Sequence, residues 1–291
     1  MASFAPTMTP MLSSVVLLSL LLTVNGREDV GIFYSVNPQI PPDDFQGEPH
    51  PGLRECNKHQ LDYCQGQLAI HLGIDKALFK KPAELIKHIE NLIFHDGTNG
   101  IFSLCKARTD FHTCLASNYI PCTDLFNILK FQGHSVRDSF ILADLYDNMD
   151  FDCNGGFLQG IRHWDCIERM HTSDEYKQHT EQCFKQYNDT IHKNPQQYCQ
   201  AAESFSFCQA IVFGGHEGCD AKELIWWECE RTLRRSQLDG FCSKTTCSKV
   251  FTYDQSEAQS TPQKLTMFSE NHKKYFKEVA SKNRKLAASL N

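Results

Sequence analysis

The chain is 291 residues long, with 14 cysteines and a formal net charge of −6 from 29 Lys or Arg against 35 Asp or Glu. Seven of those Lys or Arg, against two Asp or Glu, fall in residues 264–291, so the remainder is strongly acidic. An acidic body argues against nucleic acid as a partner, and the length is enough for one large or two small cores.

Residues 1–26 contain no Lys, Arg, Asp or Glu, and 11–24 form an apolar run, MLSSVVLLSLLLTV, followed by Asn25-Gly26 and the charged Arg27 and Glu28. A run that short reads as a signal peptide over 1–26; an uncleaved anchor is the alternative. No later stretch is as apolar, so no stable membrane insertion is expected. Residues 27–55 include VNPQIPPDDFQGEPHPG, with five prolines, and read as a solvated Pro-rich arm, with a docking arm as the sharper reading.

From Cys56 the pattern turns helical. A helix is expected over 60–72, ending at Gly73. Lys81-Pro82 opens the next, with Leu85, Ile86, Ile89, Leu92 and Ile93 on one face, and Asp96-Gly97 and Asn99-Gly100 end it. A third runs through Phe102, Cys105, Phe111 and Leu115 and stops near Pro121. A short apolar element follows over 123–132. Ser135 then caps a helix over 136–148 with Phe140, Ile141, Leu145 and Met149 buried. Asn154-Gly155-Gly156 reads as a turn before a helix through Trp164 and Cys166 to Met170. Thr172 or Ser173 caps 175–190, and Asn194-Pro195 breaks it. Helices over 196–213 and 221–235, separated by Gly214-Gly215, complete a cysteine-rich domain over 56–250. Residues 251–291 form a polar linker and a basic tail. No alternating strand pattern occurs, so the expected fold is all-α.

All cysteines lie after the leader: Cys56, Cys64, Cys105, Cys114, Cys122, Cys153, Cys166, Cys183, Cys199, Cys208, Cys219, Cys229, Cys242 and Cys247. An even number in a secreted chain implies a disulfide framework, and the absence of any CxxC pair removes the commonest zinc signatures. Spacing does not dictate which cysteines pair. It does suggest two degenerate helical repeats. Cys105/Cys114 and Cys199/Cys208 each enclose eight residues, Cys153/Cys166 and Cys229/Cys242 each enclose twelve, and Cys122 and Cys219 lie between.

Few constellations point to chemistry. Asp150-Phe-Asp152-Cys-Asn154-Gly155 matches the start of a calcium loop, but Ile161 stands where a bidentate Glu is needed. The plainer reading leaves Asp150 and Asp152 solvated beside a turn, and no metal or cofactor is expected. His95-Asp96 and His163-Trp164-Asp165 have the residue types of a calcium-dependent lipase dyad without its glycine-rich loop. GxSxG and HExxH are absent. Trp164, Trp226, Trp227, Phe205, Phe207 and Phe213 read as core, or alternatively as the wall of an apolar cavity. Asn188-Asp189-Thr190 is a glycosylation sequon. Lys273, Lys274, Lys277, Lys282, Arg284 and Lys285 could hold a polyanion, although a solvated basic helix is the plainer reading.

The segments LCKARTDFHTCL, IPC and DLYDNMDFDCNGGFLQGIRHWDCIERM resemble secreted nematode helical domains of the chondroitin proteoglycan 4 type. YCQAAESFSFCQAIVFGGHEGCDAKELIWWECE is similar to the matching portion of the same domain. The resemblance implies an extracellular, non-enzymatic domain. Some members carry chondroitin on Ser-Gly sites, a dipeptide this chain lacks. The expectation is therefore a secreted protein that binds an extracellular protein or glycan. A carrier for a small apolar ligand and a calcium-dependent lipase-like hydrolase are the alternatives.

Overall fold

Asn57 sets where the helical body begins, because its side chain accepts a hydrogen bond from the Gln60 amide and caps α1 (Lys58–Leu72). Gly73, at φ 66°, ends that helix. The computed structural model describes residues 54–131, 134–238, 240 and 242–252. The leader, nearly all of the Pro-rich arm, and the basic tail with Lys273, Lys274, Lys277, Arg284 and Lys285 lie outside the described residues. Among the described residues every regular element is helical and no strand occurs, so the all-α, disulfide-stapled bundle is the observed fold.

Pro82 occupies the first turn of α2 (Pro82–His95), as expected. The next boundary differs from expectation. Asn99-Gly100 does not end a helix; both residues lie inside α3 (Gly97–Leu115), and the only break is at Asp96 and Gly97, whose φ is 56°. Gly100 is required there for space, since a Cβ would stand 2.1 Å from the Leu92 carbonyl oxygen. Pro121 also fails to act as a stop. It lies within the first turn of α4 (Tyr119–Thr123), where its missing N–H has no partner to lose.

α5 (Leu125–Phe131) leads to α6 (Val136–Asp150), whose Ser135 cap accepts from the Asp138 amide. The expected Gly-Gly turn is a π-helical turn, Phe151–Gly155, running into α7 (Phe157–Arg162) and α8 (Trp164–His171). Ser173, rather than Thr172, caps α9 (Asp174–Lys193). α10 (Tyr198–Ile211), α11 (Lys222–Leu233) and the short α12 (Lys249–Thr252) follow.

α1 and α2 both pack on α3, α2 also on α6, and α10 lies between α9 and α11. α8 touches α2 and α3 on one side and α9 on the other. The main core runs through Phe111, Ile141, Tyr146, Ile167, Phe213 and Trp227, all nearly inaccessible. A smaller cluster, Tyr187, Ile191, Ala201 and Ala202 under Phe184, Tyr198 and Phe205, holds the far end of α9 and α10 together.

All fourteen cysteines are joined: Cys56–Cys122, Cys64–Cys114, Cys105–Cys153, Cys166–Cys219, Cys183–Cys208, Cys199–Cys242 and Cys229–Cys247. The first three bridges and the next three have the same order, first to fifth, second to fourth and third to sixth. The chain is thus two bridge-equivalent repeats, with Cys229–Cys247 added to the second.

This corrects the pairing of segments read from spacing. Cys153 corresponds to Cys242, not Cys229, and Cys166 opens the second repeat in the place Cys56 holds in the first. Bridge order is set by which helices touch. α1 on α3 is matched by α9 on α10, whereas equal spacing in sequence carries no contact information.

Candidate functional site

Where the two repeats meet, polar side chains occupy the core. His171 ends α8 and Glu228 lies on α11 in register with the buried Leu224 and Ile225. His171 Nε2 stands 3.0 Å from Glu228 Oε2, with side chains 4% and 0% exposed. The Tyr176 hydroxyl donates to the other oxygen, Oε1. Phe94 stacks on the imidazole, with centroids 4.2 Å apart and planes 4° from parallel. Burial alone pushes the Glu228 carboxyl up, but the charges of His171 and Arg231 and the bond from Tyr176 overcome it, so Glu228 sits below its ordinary value. Burial and the adjacent carboxylate hold the Tyr176 hydroxyl well above its usual range. All three side chains of the cluster are nearly inaccessible to solvent.

Two arginine–carboxylate contacts tie α11 and the turn after it to the first repeat. Arg231 Nε donates to Asp152 Oδ2 at 3.2 Å, and Arg234 grips Asp147 through two bonds of 2.6 and 2.8 Å. Asp152 is therefore not solvated as expected. It is 4% exposed, and burial pushes its carboxyl up despite the arginine. Asp150 turns the other way, accepting from Arg108 Nε at 2.6 Å and from the Tyr119 hydroxyl. Asn154 donates to the Asp150 carbonyl. The carboxylates of the calcium-loop match thus diverge to separate partners, because the π turn points successive side chains into different layers.

Between the repeats opens a cleft of about 60 Å³. α2 and α6 supply Glu90, Phe140, Asp144 and Asn148, and the second repeat supplies Tyr187, Tyr198, Phe205, Arg231, Thr232 and Arg235. A smaller cavity of about 20 Å³ adjoins it, sharing Glu90, Asn148 and Arg231 and reaching Asp152. The cleft is well below the roughly 300 Å³ of a drug-sized pocket, which counts against the apolar-carrier alternative.

Comparison with family models, curated proteins and solved structures finds no match to this chain.

The remaining sequence candidates are dispersed. His95 and Asp96 are both exposed, and His163 is half-buried next to an exposed Asp165. Trp227, Trp164 and Phe213 are core, Trp226 and Phe207 pack partly buried against it, and Phe205 lines the cleft. Asn188 is half-buried on α9, its carbonyl contacted by His192 Nδ1 at 2.7 Å. One metal-like grouping occurs among the described residues, His179 with Cys183 and Cys208. Its two sulfurs are bonded to each other, and the imidazole Nε2 contacts the Cys208 carbonyl at 2.7 Å. Those donors are already used.

Sequence reading missed His171, Glu228, Glu90 and Asn148. A signal existed for Glu228: a helical period through Leu224 and Ile225 places an acid on the apolar stripe. On the outer surface, Phe102 and Leu158 are 52% and 59% exposed, and Phe102 meets Phe157 at 6.0 Å beside the Cys105–Cys153 bridge.

Proposed function

We propose that this chain is a secreted, non-enzymatic protein that acts by binding an extracellular protein or glycan. The joining of all fourteen cysteines supports this reading, since such a framework belongs to an oxidising compartment. No helix among the described residues is long and apolar enough to cross a membrane. The buried charged groups are engaged with one another, as structural networks are. The exposed Phe102 and Leu158, with the half-buried Phe157 beside Phe102, offer an apolar contact area of the kind that marks interaction surfaces. Residues resembling domains of the chondroitin proteoglycan 4 type agree with an extracellular binding role, and the lysines and Arg284 of the tail would add a polyanion contact.

The test is made on the exported protein. Its intact mass should show every cysteine oxidised. A partner cross-linked from extracellular fluid should be lost on combining Phe102→Ser with Leu158→Ser while the melting temperature holds. Free thiols, or turnover of phospholipid vesicles by the same preparation, would overturn the reading.

A further inference from the structure

The chain's one glycosylation sequon, Asn188-Asp189-Thr190, lies within a helix, although such a triplet is usually read as a surface loop. Helix geometry already engages its groups. Thr190 Oγ1 donates to the Gln186 carbonyl at 2.9 Å, and the Asn188 carbonyl is contacted by His192 Nδ1 at 2.7 Å. Asn188 and Thr190 are both half-buried. Between and beside them, Tyr187 and Ile191 are buried in the smaller cluster with Ala201 and Ala202 of α10. The Cys183–Cys208 bridge ties the same two helices just upstream.

Transfer of an oligosaccharide asks for something this helix does not offer. Asn188 Nδ2 must bond to C1 of the first sugar of a lipid pyrophosphate-linked donor. The C1–O bond breaks, the lipid pyrophosphate leaves with its electron pair, and a base of the transferase takes the amide proton. Recognition of the triplet needs the Asn and Thr side chains together, yet residues i and i+2 of a helix do not face each other. What makes this stretch helical comes later in the chain. Helices in proteins draw most of their stability from tertiary packing, and α10, with Ala201, Ala202 and Cys208, follows the sequon. A growing chain therefore presents Asn188 before the elements that pack α9 exist.

From a sequon locked into α9 by elements that follow it in the chain, we propose that Asn188 is N-glycosylated only on the unfolded chain, and that packing of α9 against α10 closes the site. Occupancy is then decided by a race between sugar transfer and the docking of α10, and the folded, oxidised protein is no longer an acceptor. The inference rests on the reading of a secreted chain, since that route brings the sequon to the transferase. The surface around Phe102 plays no part in it.

The test supplies the transferase directly, so it does not depend on export. Unglycosylated full chain is given microsomal oligosaccharyltransferase and a lipid-linked oligosaccharide in two forms, one oxidised and folded, the other reduced and alkylated. Intact mass should show one oligosaccharide added to the alkylated chain, and none to the same form of Asn188→Gln. The folded chain should react more slowly by about ten-fold or more, because only locally opened molecules can be used. Protein exported from eukaryotic cells should carry the same modification at Asn188. Equal rates for the two forms, no transfer to the alkylated chain, or a bare Asn188 on the exported protein would overturn the proposal. Free thiols in exported protein would instead sink the secreted-framework reading and leave the comparison of the two forms untouched.

Discussion

Glu228 shows how a buried charge ties three helices of the second repeat, α8, α9 and α11, to one another. Its two oxygens are divided between His171 and Tyr176, on elements 57 and 52 residues away in sequence. Replacing one member of a buried pair leaves the others unmatched, so Glu228→Gln should cost about 3 kcal/mol or more at neutral pH by urea unfolding. The folded carboxyl titrates below its unfolded value. Its stabilisation is therefore present above the unfolded value and lost as pH falls through the folded one. The gap between wild type and Glu228→Gln should accordingly narrow in strong acid. Glu90 has the opposite sign. Burial outweighs the opposing pull of Arg231 and raises its carboxyl, so its contribution is favourable below the unfolded value and lost as pH rises through the folded one. Compared with wild type, Glu90→Gln should lose less stability between pH 4 and pH 8, as read by urea midpoints at each pH. If the two proteins ran parallel across that range, the burial of Glu90 would carry no energetic weight.

At the scale of elements, the helices and several of their starts were legible because caps are local chemistry. Pro82 and Ser135 act as their types dictate, and Ser173 is one of the two caps foreseen. Boundaries that depend on a neighbour were not legible. Asn99-Gly100 has the composition of a turn, yet Gly100 serves the approach of α3 to the last carbonyls of α2, which no local rule contains. The comparison of two helical glycines checks this. Gly100→Ala would place a methyl group against backbone and should cost about 2–3 kcal/mol. Gly66→Ala in α1 meets only the flexible Lys76 side chain at 3.5 Å and should be neutral or stabilising by about 0.5–1 kcal/mol. Thermal unfolding of both variants separates the two roles. Equal effects would mean that the crowding at Leu92 is relieved by a small shift. The π turn was hidden for the same reason. Gly156 is needed where a Cβ would meet the Phe151 ring at 2.6 Å and Trp227 at 2.9 Å, and Trp227 arrives from the other repeat. The cleft residues escaped notice because each is an ordinary polar residue in its own helix.

For the whole molecule, the repeat was visible in cysteine spacing but in the wrong register, because Cys229 interrupts the second set with a partner of its own. Bridge order restores the correspondence and ranks the bridges. In the chain-entropy account a bridge stabilises by restricting the unfolded state, more so for a longer loop. Cys56–Cys122 spans 66 residues and ties the start of α1 to α4, whereas Cys229–Cys247 spans 18 and joins α11 to the short segment behind it. The same relation puts the first at about 4 kcal/mol and the second at about 3, a difference of about 1 kcal/mol. Pairwise replacement by alanine, Cys56→Ala with Cys122→Ala against Cys229→Ala with Cys247→Ala, should therefore destabilise the chain more in the first case. The second variant should keep the repeated three-bridge order in both halves when its disulfides are mapped without reduction. A larger loss from the second pair would mean that Cys229–Cys247 shapes the core around Trp227 directly, and that loop length is not what ranks the bridges here.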